Sequence, residues 1–202
     1  MMKENSANKD QMGREMVRLL KIFGLASLGL VLLLSLFNER RANNTGEDPS
    51  FRLSDSGMLF FKNIRRIDYA VRSMPDAGID IYTHKGFDRD STQNTLILEI
   101  IVHKNRNTAS PYLLSAGQLK RREPLLLHAI KKDDLYGTLE ISTGDRYVHL
   151  EQAGIIFNWL SSEIDSLKAN VGERWIPLLD SKREREAFVN SYNDFLKITG
   201  QL

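Results

Sequence analysis

Leu19–Phe37 reads LLKIFGLASLGLVLLLSLF. Its one charge, Lys21, sits near the N-terminal end, where the long stem can carry the ammonium to an interface. Wound as a helix the run spans about 28 Å, close to the hydrocarbon thickness of a bilayer. A core helix of a globular domain keeps a polar face, and a cleavable signal peptide ends in small residues at its −3 and −1 positions. This run ends in Leu36-Phe37-Asn38-Glu39-Arg40-Arg41, which has no such site, and the chain has no cysteine for lipoprotein processing. The expectation is one uncleaved membrane-spanning signal-anchor over residues 19–37.

On the N-terminal side of this run, residues 1–18 form a polar tail. Lys3, Lys9, Arg14, Arg18 and Lys21 lie on or before the first turn of the span, and Arg40, Arg41 and Arg52 follow it. The excess of Lys and Arg favours an N-terminus inside and residues 51–202 outside, in a periplasmic or other extracytoplasmic space. Within the run, Gly24, Ser27, Val31 and Ser35 fall on one stripe at 100° per residue, and small residues on one stripe let another helix approach closely. They are the candidate helix-packing residues.

On the C-terminal side, Asn38–Ser50 (NERRANNTGEDPS) is polar, with Gly46 and Pro49, and reads as a linker. Removing the five basic and three acidic residues of Met1–Phe37 from the totals of 28 and 26 leaves 23 of each. A neutral domain argues against nucleic acid, whose phosphates select a basic excess.

Residues 51–202 read as one soluble domain. Met58–Phe61 leads into Ile67, Tyr69 and Val71, which alternate as a strand does, and Met74–Gly78 carries turn residues. Ile79–Thr83 alternates again. Thr95–His103 (TLILEIIVH) is apolar at nearly every position and predicts a central strand covered on both faces. Leu125–Ile130 predicts a second buried strand, and Thr138–Ser142 and Tyr147–Leu150 flank Thr143-Gly144-Asp145-Arg146 as a hairpin would. Ile156, Leu160, Ile164, Leu167 and Val171 recur at helical steps up to Gly172. Ser181 and Glu184 have capping-box spacing and open a last helix with the stripe Phe188, Tyr192, Phe195 and Leu196. The predicted fold class is α+β: an N-terminal transmembrane helix, then an antiparallel sheet with two C-terminal helices packed on one face.

Chemistry is harder to find. His84, His103, His128 and His149 show no HxH, HxxxH or HExxH spacing, so no metal site is expected. There is no GxSxG elbow, SxxK pair, GxGxxG or GxxxxGK[ST] loop, so no catalytic residue and no cofactor is expected. Asp88 and Asp90 resemble part of a calcium loop that lacks its glycine and closing glutamate. Two basic clusters, Lys62-Arg65-Arg66 and Lys120-Arg121-Arg122, are candidate surfaces for anionic headgroups or an acidic partner. The functional expectation is a single-pass anchored structural or interaction protein, an accessory subunit with a protein partner on a larger membrane or envelope assembly. A membrane-anchored ligand-binding or sensor domain and an anchored hydrolase with scattered active-site residues are the alternatives. No residue pattern identifies a small-molecule ligand.

Overall fold

The computed structural model describes residues 4–36, 51–87, 94–120, 124–172 and 174–202; in its first helix the described side chains are those of Gly13 and residues 15–31. The chain divides into two units, Met1–Asp48 and Pro49–Leu202. The predicted linker over 38–50 lies outside the described residues, as do Asp88 and Asp90.

The first unit holds one helix, α1 (Glu4–Leu36). Its described side chains are all exposed, including Leu20 at 76%, Phe23 at 72% and Leu25 at 71%. Among the described residues no helix is long and apolar enough to cross a membrane. The described side chains end at Val31, part-way along the apolar run.

The second unit is α+β, with two four-stranded antiparallel sheets rather than the single sheet the sequence predicts. The first is a meander of β1 (Tyr69–Met74), β2 (Ile79–His84), β3 (Leu96–His103) and β4 (Thr108–Ser115). The second contains β5 (Leu125–Lys131), β6 (Asp134–Ile141), β7 (Ser166–Val171) and β8 (Arg174–Leu178), in the order β6-β5-β7-β8. Among the described residues the unit also has the α-helices α2 (Asp55–Phe60), α3 (Arg146–Ser161) and α4 (Lys182–Ile198). As expected from its composition, β3 is interior, with Leu96, Leu98 and Ile100 wholly buried. Strand β5 is interior too, but alternates: Leu125, Leu127 and Ala129 are buried, and Leu126, His128 and Ile130 are only half-buried.

One core joins the inner faces of both sheets through α3 and α4. It contains Leu98 and Leu113 from the first sheet, Leu127 and Leu167 from the second, and Ile156 and Phe188 from the helices. A second cluster, with Phe51, Phe61, Tyr69, Tyr82 and Phe195, closes the first sheet beside β1.

Three predicted elements come out differently. Asp145 is the N-cap of α3, not a hairpin residue: its Oδ1 accepts from the backbone N–H of Tyr147 (2.9 Å) and Val148 (3.2 Å). Tyr147–Leu150 is therefore helical, because an Asp that binds two orphan amides stabilises the first turn directly. The helix then stops at Ser161, and Leu167 and Ala169 face inward while Lys168 and Asn170 face outward, a period of two. Ile164, Leu167 and Val171 match helical steps only by coincidence. Gly172, at φ 71°, turns β7 into β8 instead of ending a helix. The two helices are thus separated by a hairpin and are not a C-terminal pair. Finally, Met58–Ile67 forms the end of α2, one π turn (Phe61–Arg65) and part of a 3-10 turn before β1 begins. The last helix matches its expectation. Ser181 Oγ accepts from the Glu184 amide at 3.2 Å and lies 3.0 Å from the Glu184 carboxylate, forming the cap that starts α4.

Candidate functional site

In β2, Asp80, Tyr82 and His84 share the face that points toward α2 and the second cluster, as alternation requires. Between α2 and the far end of this face lies a cavity of about 420 Å³. Leu53, Met58, Leu59 and Val102 supply its hydrocarbon wall, and Asp55, Lys62, Asp80, Lys104 and Asn107 its polar one. Asp80 is 8% exposed. Its Oδ1 accepts from the Ser73 hydroxyl at 2.7 Å, and its Oδ2 lies 2.8 Å from Lys104 Nζ. The first contact is fixed by register, because Ser73 and Asp80 are paired across β1 and β2.

Burial alone would raise the Asp80 pKa, but the hydrogen bonds from Lys104 and Ser73 outweigh it and hold the carboxyl below its ordinary range. Burial pushes the Tyr82 hydroxyl up, and the charge of Asp80 adds to this. The site therefore holds the Asp80 carboxylate with both oxygens engaged, the Lys104 side chain and a neutral Tyr82 phenol, with Asp55, Lys62 and Asn107 on the same wall. A carboxylate with both oxygens engaged is a poor base or nucleophile, whereas polar groups above an apolar wall suit recognition of an amphipathic molecule.

The basic cluster predicted at Lys62-Arg65-Arg66 is not one surface. Lys62 is exposed at the cavity rim. Arg65 turns inward: its Nε donates to both oxygens of Asp194 on α4, at 3.1 and 3.0 Å, and NH1 lies 2.8 Å from Asp68. The Tyr69 hydroxyl donates to the same Asp194 at 2.7 Å. Arg66 donates to the Tyr69 carbonyl at 3.2 Å, with its guanidinium 5.8 Å from the centre of the Tyr82 ring. Burial would lower the pKa of Arg65, but its bond to Asp194 and the surrounding acids raise it. Burial, reinforced by the charge on Asp194, drives the Tyr69 hydroxyl far above its ordinary range, so it remains a donor. In the second cluster Lys120 is exposed, and Arg121 and Arg122 lie outside the described residues.

The four histidines lie apart in role. His84 packs edge-on against Tyr69, and its Nδ1 accepts from the Gly86 amide at 3.0 Å. His128 stacks on Trp175 at 4.0 Å on the outer face of the second sheet. His149 receives the Leu113 amide at the edge of β4. His103 lines a second cavity, of about 390 Å³, with Arg106 and Arg146. Among the described residues no group of three or more His, Asp or Glu is arranged to hold a metal ion. No family model, characterised protein or solved structure matches this chain. Residues of the helix-packing stripe are placed as follows. Gly24, Ser27 and Val31 are exposed on α1, the Ser27 hydroxyl donates back to the Phe23 carbonyl at 2.8 Å, and the Ser35 side chain lies outside the described residues.

Sequence reasoning missed Asp80, Lys104 and Asp194 as a set. The one local signal was Asp80, an acid on the alternating face of the strand IDIYTH.

Proposed function

We propose that this chain is a single-pass, membrane-anchored structural or interaction protein, an accessory subunit whose α+β unit docks on a larger membrane or envelope assembly. One observation carries the reading. Along α1 the large apolar residues from Met16 to Val31 are more than half exposed, in a unit of its own. A helix apolar on every side requires an apolar surrounding. Each Leu, Ile or Phe taken out of water stabilises that state by about 1.5–3 kcal/mol. The apolar sequence continues through Leu36 to Phe37, which brings the run to bilayer length. The flanking Lys and Arg support an N-terminus inside and residues 51–202 outside, and the Gly24–Ser27–Val31–Ser35 stripe offers a place for a neighbouring helix.

The test is partition and topology together. The full chain should stay with membranes through an alkaline carbonate wash, while a chain lacking residues 1–50 should not. A protease added to spheroplasts with an intact inner membrane should digest residues 51–202. Release of the full chain by carbonate refutes the anchor, and protection of the C-terminal unit inverts the orientation. Capture in mild detergent, with the anchor intact, then identifies the partner chains.

A second reading, an anchored ligand-binding or sensor domain, is favoured by the cavity that Asp80 and Lys104 share with Met58 and Val102. Small-molecule binding that is lost in Asp80→Ala and retained in a distant surface variant distinguishes it from a purely structural subunit.

A further inference from the structure

The second cavity, of about 390 Å³, is a set of donors. Its wall carries Arg106, Arg146 and His103 with the hydroxyls of Thr108, Ser110 and Tyr147. Among the described residues that wall carries one carboxylate, Asp145, whose Oδ1 caps α3. Neither arginine makes an ion pair among the described residues. Arg146 is also pre-oriented: its guanidinium lies 4.5 Å from the centre of the Phe51 ring and 5.1 Å from that of Tyr147, and it donates to the Tyr147 hydroxyl at 3.3 Å. The two rings meet edge to face at 5.0 Å. Two planar, permanently charged forks with hydroxyl groups on the same wall match the oxygens of a phosphate group.

We infer that this cavity binds the phosphate of anionic phospholipid headgroups. The inference rests on the proposed anchor and gives the α+β unit a defined contact with the bilayer. Phe51 is the residue on which Arg146 stacks, and it follows the apolar run by only the residues 38–50. A chain of that length reaches at most about 45 Å at full extension, so the headgroup layer is within range of the cavity. Soluble organic phosphates share this chemistry, but they do not explain why the donors gather where the chain leaves its linker.

The absence of cysteine allows one dye to be placed by Glu151→Cys, on the exposed side of α3 one turn beyond Tyr147. The full chain is reconstituted into vesicles of phosphatidylcholine, or of phosphatidylcholine with about one phosphatidylglycerol in four. Energy transfer from the dye to a headgroup-labelled lipid then reports approach of the unit to the surface. Transfer should rise with phosphatidylglycerol. The pair Arg106→Gln with Arg146→Gln should weaken the headgroup association roughly thirtyfold, at about one energetic unit per arginine. The charge-matched pair Arg174→Gln with Lys182→Gln, on the second sheet and the start of α4, should leave it unchanged. Arg106→Gln alone, which leaves the Phe51 stack intact, should give a partial loss and guards against a folding defect.

Equal transfer in both lipid mixtures overturns the inference, and so does an equal loss in the two double variants. Sub-millimolar binding of glycerol phosphate without any lipid-dependent transfer assigns the cavity to a soluble phosphate and overturns the lipid commitment. Flotation with phosphatidylcholine vesicles at alkaline pH is scored separately. Its failure refutes the anchor, whereas failure of the headgroup contact leaves flotation intact.

Discussion

Replacing Asp194 by alanine tests the buried junction of α4, β1 and the π turn. Asp194 has a side chain 6% exposed and binds Arg65, whose side chain is 25% exposed. Removing one partner of a buried, hydrogen-bonded ion pair costs about 3–5 kcal/mol. Two features adjust that figure in opposite directions. Arg65 keeps water access and its 2.8 Å contact with Asp68, so its charge is not abandoned. The Tyr69 hydroxyl, however, loses its 2.7 Å acceptor in a residue only 1% exposed, a penalty of about 1–3 kcal/mol. The expected cost of Asp194→Ala is therefore about 3 kcal/mol. Asp194→Asn retains one acceptor oxygen and should cost about half of that, and Tyr69→Phe about 1 kcal/mol. Because the two residues share a bond, the double variant Tyr69→Phe/Asp194→Ala should cost less than the sum. Urea unfolding of the full chain in mild detergent, followed by circular dichroism, reads these values. A loss below 1 kcal/mol for Asp194→Ala, or strict additivity in the cycle, refutes the assignment of this cluster as a stabilising junction.

The His84 pKa is lowered, chiefly by burial, with Arg65 and Arg183 acting in the same direction and Asp68 and Asp194 against it. Below an ordinary histidine pKa of about 6.5 the unfolded chain takes up a proton that the folded chain resists. Stability should thus be full above that pH and decline as pH falls through it toward the lower folded value. His84→Asn, which keeps an acceptor for the Gly86 amide, should flatten that part of the stability–pH curve, and an unchanged slope counts against the assignment. Tyr69 has its pKa raised instead, so stability should fall above the ordinary tyrosine value of about 10, and Tyr69→Phe should remove that alkaline loss in the same titration. A Cβ on Gly57 would lie 2.0 Å from the backbone oxygen of Lys197, so Gly57→Ala must push α2 off the end of α4. It should cost about 1–3 kcal/mol, read as a lower midpoint in urea; a neutral effect would mean that α2 is loosely held. Asp145→Ala should cost about 1 kcal/mol through loss of the α3 cap, and Asp145→Asn or Asp145→Ser should restore most of it.

Among the elements, those whose pattern is local were legible. Strands β2 and β3, the Met74–Gly78 turn and the capped helix α4 follow from alternation, turn residues and the Ser181–Glu184 spacing. Strand β4 was missed: TASPYLLS carries a proline, and its edge position depends on α3 beside it, where His149 accepts the Leu113 amide. Strands β7 and β8 were missed because three apolar residues happened to fit helical steps. The choice between hairpin and helix at Thr143–Arg146 turned on whether the Asp145 carboxylate reaches two amides, which composition does not specify.

Residue order alone shows how the chain is divided: an apolar run without a polar face, a polar stretch after it, and a charge-balanced remainder with strand and helix periods. Those properties are sums over neighbouring residues, and hydrophobic periodicity reports them directly. The tertiary structure alone decided which polar groups meet. Arg65 and Asp194 lie 129 residues apart in sequence, and Lys104 reaches Asp80 from the turn beyond the neighbouring strand. Arg106 and Arg146 come from a turn in the first sheet and the start of α3. No local pattern encodes such pairs, because their partners are set by strand register and by which helix covers which face. The fold was therefore partly readable from spacing, while the Arg65–Asp194–Tyr69 and Asp80–Lys104 clusters depend on chain segments that only packing brings together.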